Sequence, residues 1–167
     1  MPQILFVCTG NTCRSPMAEY FFSEYKEKYG LEDWSATSAG LHAHPGSGGS
    51  GIMCMVMAEE GIEVMGHTPE QVTEELVTEV DLILTMTEEH KAKIGEYIEK
   101  AEADDGGSPD VHTLKGFLGK REKNISDPIG ENSSGYRRVR DEIRTTINKL
   151  LNRLKLEQRK MGGGPED

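Results

Sequence analysis

The chain has only three cysteines in 167 residues, Cys8, Cys13 and Cys54, and an odd count leaves at least one thiol unpaired. That excludes a secreted disulfide scaffold and predicts reduced thiols. Positive charge is also scarce: 19 Lys and Arg stand against 29 Asp and Glu, a formal net charge of −10. So acidic a surface repels a nucleic-acid backbone at long range, which removes DNA and RNA from the expected partners. No apolar run is long enough to cross a bilayer, and no basic stretch precedes the short apolar one at the start. The expectation is a soluble, cytoplasmic protein without a membrane partner. The length suits one domain with its own core, and a monomer is the default.

What the sequence does have is an alternation of strand and helix signals. Residues 3–8 (QILFVC) are apolar without polar alternation, as in a strand buried on both faces of a parallel sheet. Ser15 and Pro16 then offer a cap and a first-turn proline for a helix carrying Met17, Ala18, Phe21, Phe22 and Tyr25. Further strands are expected at residues 34–39, 81–86 and 111–114. Helices are expected at 51–60 after Ser50, from Thr68-Pro69 through about Val77, and at 87–101. Tyr136, Val139, Ile143, Ile147, Leu150, Leu151 and Leu154 define a long amphipathic closing helix. Together these predict an α/β single-domain three-layer sandwich, a central four-stranded parallel sheet with helices on both faces. The domain is expected over residues 1–158, with 159–167 a disordered tail. Residues 46–51 are a Gly/Ser-rich loop, and Asp104 and Asp105 lie in an acidic loop to which no function is given.

The chemistry concentrates at Cys8-Thr9-Gly10-Asn11-Thr12-Cys13-Arg14-Ser15, between a strand end and a helix start. If this segment curls around an anion, its N–H groups form a nest and the helix N-terminus adds partial positive charge. Gly10 is expected to supply the positive φ of the curl. The field that binds a phosphate dianion also favours a thiolate, which makes Cys8 a nucleophile. Arg14 can present two parallel donors to two phosphoryl oxygens. A departing group needs a proton, and Asp127, held in a turn by Pro128, is the expected donor and later the base for water. A Cys-x5-Arg spacing alone is weak, as is one Asp-Pro; the combination beside a strand and helix is much stronger.

Over residues 4–19, and again at Ser38-Ala39-Gly40, His67, residues 84–87 and Asp127-Pro128, the chain resembles the low-molecular-weight protein tyrosine phosphatase family. The resemblance implies a parallel α/β fold, no metal or cofactor, phosphorylated proteins as substrates and a phosphocysteine intermediate. It gives Cys8, Arg14 and Asp127 the roles just argued, has Thr9 through Ser15 bind the phosphate, and makes Asn11, Ser15, Ser38 and His67 the support of the loop. Within the family, tyrosine-specific members tend to carry isoleucine where this chain has Thr12, whereas bacterial protein arginine phosphatases carry threonine. Tyrosine-specific relatives also often follow Asp-Pro with tyrosines, and here Ile129 and Gly130 follow. Thr12 and Ile129 are therefore the expected specificity positions and phosphoarginine the expected substrate, with phosphotyrosine as the alternative. The arginine phosphatases commonly place an aromatic where Ile129 stands, so the rim departs from both patterns.

Arsenate reductases share the loop but pass oxidation to two further mid-chain cysteines, and no cysteine follows Cys54 here. Cys13 is the expected redox partner of Cys8 if the nucleophile is oxidised. His42 and His44 are close, but no Cys/His set has zinc spacing.

Overall fold

Ile4, Leu5, Phe6, Val7 and Cys8 are all buried because strand β1 (Gln3–Cys8) lies inside a four-stranded parallel sheet. The computed structural model describes residues 1–46, 48–64, 66–101 and 107–162. With β2 (Ser35–Gly40), β3 (Leu82–Thr85) and β4 (Asp110–Thr113), the strand order is β2-β1-β3-β4. The register pairs Cys8 with Gly40 and Val7 with Thr85, which brings the carboxyl ends of β1, β2 and β3 to one edge.

Alternate strand residues feed two cores. Ile4, Phe6, Leu82 and Leu84 pack with Met17, Phe21, Met53, Ile143 and Leu150, from helices α1 (Arg14–Tyr25), α2 (Gly51–Ala58) and α6 (Ser133–Gly162). Leu5, Val7 and Ile83 pack with Val77 of α3 (Glu74–Thr78) and Ile94 of α4 (Glu88–Ala101). This is the expected three-layer sandwich. Each fully buried aliphatic or phenyl side chain contributes about 1.5–3 kcal/mol. That is ample to hold one strained loop residue costing about 1–2 kcal/mol at the edge of the sheet.

Several local expectations are corrected. Helix α1 starts at Arg14, with Cys13 as its uncapped N-cap residue, because the Ser15 hydroxyl is engaged with Cys8 and Asn11 instead. Residues 68–72 are not helical: Gln71 bridges to Gly40, the Glu70 N–H goes to Asn11 Oδ1, and Thr73 caps α3. A short helix, α5 (Leu114–Phe117), follows β4 under a Thr113 cap. The closing helix α6 runs through Gly162, so residues 159–162 are helical rather than tail. Residue 47 of the glycine-rich loop, Asp104 and Asp105, and residues 163–167 lie outside the described residues.

Candidate active site

The turn between β1 and α1 has its carbonyls and its N–H groups sorted to opposite sides. The Cys8, Thr9 and Thr12 carbonyls accept from Leu41 N (3.1 Å), His42 N (2.8 Å) and Ser50 N (3.2 Å). Asn11 O is bonded by His67 Nε2 at 2.7 Å, and Cys13 O accepts from Met17 N at 3.0 Å. The backbone N–H groups of Thr9 through Cys13, by contrast, have no protein acceptor among the described residues. Those of Arg14 and Ser15 are first-turn donors that a helix leaves over. Consecutive unspent donors at a helix start form an anion nest.

Asn11 makes this shape possible. It has φ +55 and is the one non-glycine residue with positive φ among those described, whereas Gly10 does not need one. The expectation for Gly10 therefore moves one residue on. An asparagine tolerates the left-handed region when its side chain is held locally, and this one is fully buried and held three times. Its Nδ2 donates to Ser15 Oγ and Ser38 Oγ, both at 2.9 Å, and its Oδ1 accepts from Glu70 N at 2.9 Å. Because Nδ2 can only donate, Ser15 Oγ must accept there, and its own hydrogen goes either to Cys8 Sγ at 2.9 Å, the shorter contact, or to Ala39 O at 3.5 Å. Once Cys8 is ionised its sulfur can only accept, and the hydroxyl then stabilises the thiolate. Beside Ser38 lies Glu19, whose carboxyl burial pushes up to about 7 against the lowering effect of Ser38. Gly40 is obligatory: a Cβ there would lie 2.5 Å from Thr9 O and 2.8 Å from Asn11 N.

Arg14 is 4% exposed and its guanidinium is fixed from two sides. One nitrogen donates to Ile125 O at 2.9 Å, and the other lies 3.3 Å from Asp127 Oδ2 and 3.5 Å from Thr9 Oγ1. Asp127 is more open, its side chain 39% exposed, and its Oδ1 accepts from Ile129 N at 3.1 Å. Ile129 itself is 71% exposed.

His90 went unassigned in the sequence. Its Nε2 lies 2.9 Å from Thr9 Oγ1, it is 6% exposed, and its buried Nδ1 has no partner. Burial first, then the Arg14 charge, pull its pKa down to about 4 against the opposing pull of Asp127, so it is neutral at pH 7. A neutral imidazole buttresses Thr9 without adding a second cation beside Arg14. The clue was its position: His90 lies in the first turn of the helix that follows β3, at the carboxyl edge of the sheet. Glu19 and Glu70 carried no such signal.

Cys8, Arg14, Asp127, Asn11, Ser15, Ser38 and His67 are thus joined by contacts, and Thr12, half-buried, completes the turn. Cys13 is buried, and desolvation, followed by the charges of Cys8 and Asp127, raises its pKa so that it stays a protonated thiol. His42 and His44 are not part of a metal-holding cluster; among the described residues no three metal-ligating side chains group together. Nor is any described helix long and apolar enough to cross a membrane.

A thiol entering an anion nest, an arginine leaving it and a carboxylate over that arginine define a cysteine-dependent phosphatase. Residues 3–160 match the low molecular weight phosphotyrosine protein phosphatase family, and the chain belongs to it. It is 40% identical over 156 residues to a protein-arginine-phosphatase of Geobacillus stearothermophilus, covering 93% of this chain and 98% of that one. The solved structure of the YwlE arginine phosphatase from the same organism superposes with a TM-score of 0.84 at 36% identity, covering 98% of this chain and 99% of that chain. An arsenate reductase of Staphylococcus saprophyticus is 33% identical over 147 residues, covering 88% of this chain and 94% of the relative.

Proposed function

We propose that the chain removes phosphate from phosphoarginine in cytoplasmic proteins through a phosphocysteine intermediate. The observation that carries the phosphoryl chemistry is the run of unspent N–H donors from Thr9 to Ser15, closed by Arg14. Cys8 thiolate attacks phosphorus and forms an S–P bond as the P–N bond breaks, and Asp127 gives its proton to the departing guanidine nitrogen. Asp127 then takes a proton from water, whose oxygen attacks phosphorus and expels the Cys8 thiolate, releasing inorganic phosphate. The loop amides and Arg14 follow the equatorial oxygens as phosphorus flattens, where fixed donors contribute most.

Support for the arginine substrate comes from Thr12, from Ile129 and Gly130 in place of tyrosines directly after Pro128, and from the likeness to protein-arginine-phosphatases. A hydroxyl on the nest wall engages the N–H donors of a guanidine, which an isoleucine leaves unpaired. The test is the ratio of kcat/KM for phosphoarginine and phosphotyrosine peptides with EDTA present, in the wild type and in Thr12→Ile. Preference for phosphoarginine that the substitution reverses is expected. Wild-type preference for phosphotyrosine would keep the mechanism and replace the substrate. An arsenate reductase of this fold needs further cysteines, and none follows Cys54.

The same reading makes Cys13 the thiol that captures Cys8 once peroxide has converted it to a sulfenic acid, forming a disulfide and water. Dithiothreitol is then expected to restore peroxide-treated wild type and to fail with Cys13→Ala.

A further inference from the structure

Positive charge in this acidic chain is unevenly placed. Lys115, Lys120, Arg121 and Lys123 fall within nine residues of the segment that joins β4 to Asp127. With α6 this segment lines a groove of about 450 Å³ that includes Lys115, Lys120, Arg121 and Lys149. Its carboxylates are already engaged: Glu142 pairs with Lys115, Asp141 with Arg140 and Arg144, and Glu122 accepts from Asn124 N. Among the described residues no carboxylate pairs with Lys120, Arg121 or Lys149. Lys120 and Lys149 line the same groove, and the neighbouring Lys149 ammonium lowers the Lys120 pKa. Two ammonium groups in one groove with no carboxylate paired to either repel, and an oxyanion bound near both relieves that repulsion.

The groove is tied to the active site through the backbone of the segment that carries Asp127. Lys115 Nζ donates to Asn124 O at 3.2 Å, and the next carbonyl, Ile125 O, accepts from Arg14. Asn124 is three residues from Asp127, at most about 10 Å of chain, and Lys149 lies two turns of α6, about 10 Å, beyond Glu142. An extended peptide covers such distances in roughly three to seven residues.

We propose that this groove binds acidic side chains of the protein substrate, carboxylate or phosphorylated, some three to seven residues from the phosphorylated residue being hydrolysed. The proposal rests on the phosphatase reading and gives an acidic enzyme its docking preference for acidic segments.

The test compares kcat/KM of the full chain for two phosphopeptides that differ only in Glu or Ala at those positions, with para-nitrophenyl phosphate as the small substrate. Wild type is expected to favour the acidic peptide about fivefold at low salt, since each exposed pair is worth only a fraction of a kcal/mol. The preference should fall as salt is raised. Lys120→Glu with Lys149→Glu is expected to abolish it and leave para-nitrophenyl phosphate hydrolysis unchanged. Equal use of both peptides by the wild type, or a preference that survives the double substitution, would overturn the groove. Loss of all hydrolysis by the wild type would instead sink the phosphatase reading.

Discussion

The phosphate loop and the Asp127 rim are built to opposite specifications. Asn11 and Ser15 are completely buried and tied to β2, the 67–70 segment and each other, so the loop has one shape. The rim is anchored by Ile125, whose N–H reaches Met86 O and whose carbonyl holds Arg14, and beyond that point it opens to solvent at Asp127 and Ile129. A rigid loop fixes the reaction, because its donors must already be in place when charge develops. An open rim leaves the substrate to be chosen by a few exposed side chains, which can change without disturbing the nest.

Substitutions can break this contrast in graded steps. Cys8→Ser is expected to abolish measurable turnover while the fold and phosphate binding persist, checked by activity together with calorimetric titration of phosphate. Asp127→Asn should lower kcat by about 10²–10⁴-fold with phosphate affinity nearly unchanged, because in the proposed mechanism the rim supplies a proton and the loop holds the anion. Asn11→Ala should cost about 2–4 kcal/mol in denaturant unfolding, from a strained φ and three lost buried hydrogen bonds, and should weaken phosphate binding as well. An Asn11→Ala protein as stable as wild type would show that the loop is not the rigid region described here.

The smallest effect concerns acid stability. His90 has a folded pKa of about 4, below its unfolded 6.5, so the folded state binds fewer protons between these values. Its contribution is therefore fully present above pH 6.5 and is lost as pH falls towards 4, amounting to about 1–3 kcal/mol. In His90→Asn the unfolding free energy should decline less steeply over that window. An unchanged slope would mean that His90 is not held neutral against Thr9.

The class of fold and the main chemical groups were legible in the sequence, because each rests on local pattern. The apolar run before Cys8 reads as a doubly buried strand, and a thiol and an arginine flanking a turn at a helix start suit a common anion. The resemblance at Ser38, His67 and Asp127 extended that reading to the support of the loop and to the proposed acid. The non-helical 68–72 segment escaped it, since its backbone groups are satisfied by partners distant in sequence, and α5 escaped it because four residues are too few to show a helical period.

What the sequence alone determined is therefore the strand-turn-helix with Cys8 and Arg14, the long amphipathic α6, and a parallel α/β sheet between helices. Tertiary structure alone decided that Asn11 rather than Gly10 takes the left-handed conformation, that Ser15 serves Cys8 instead of capping α1, and that His90 buttresses Thr9. It also decided that Lys120 and Lys149 line one groove. The physical reason is common to all four: a hydrogen bond or a charge contact between residues far apart in the chain, or a hydroxyl with two possible partners, is settled by which groups packing brings within reach, and periodicity carries no record of that.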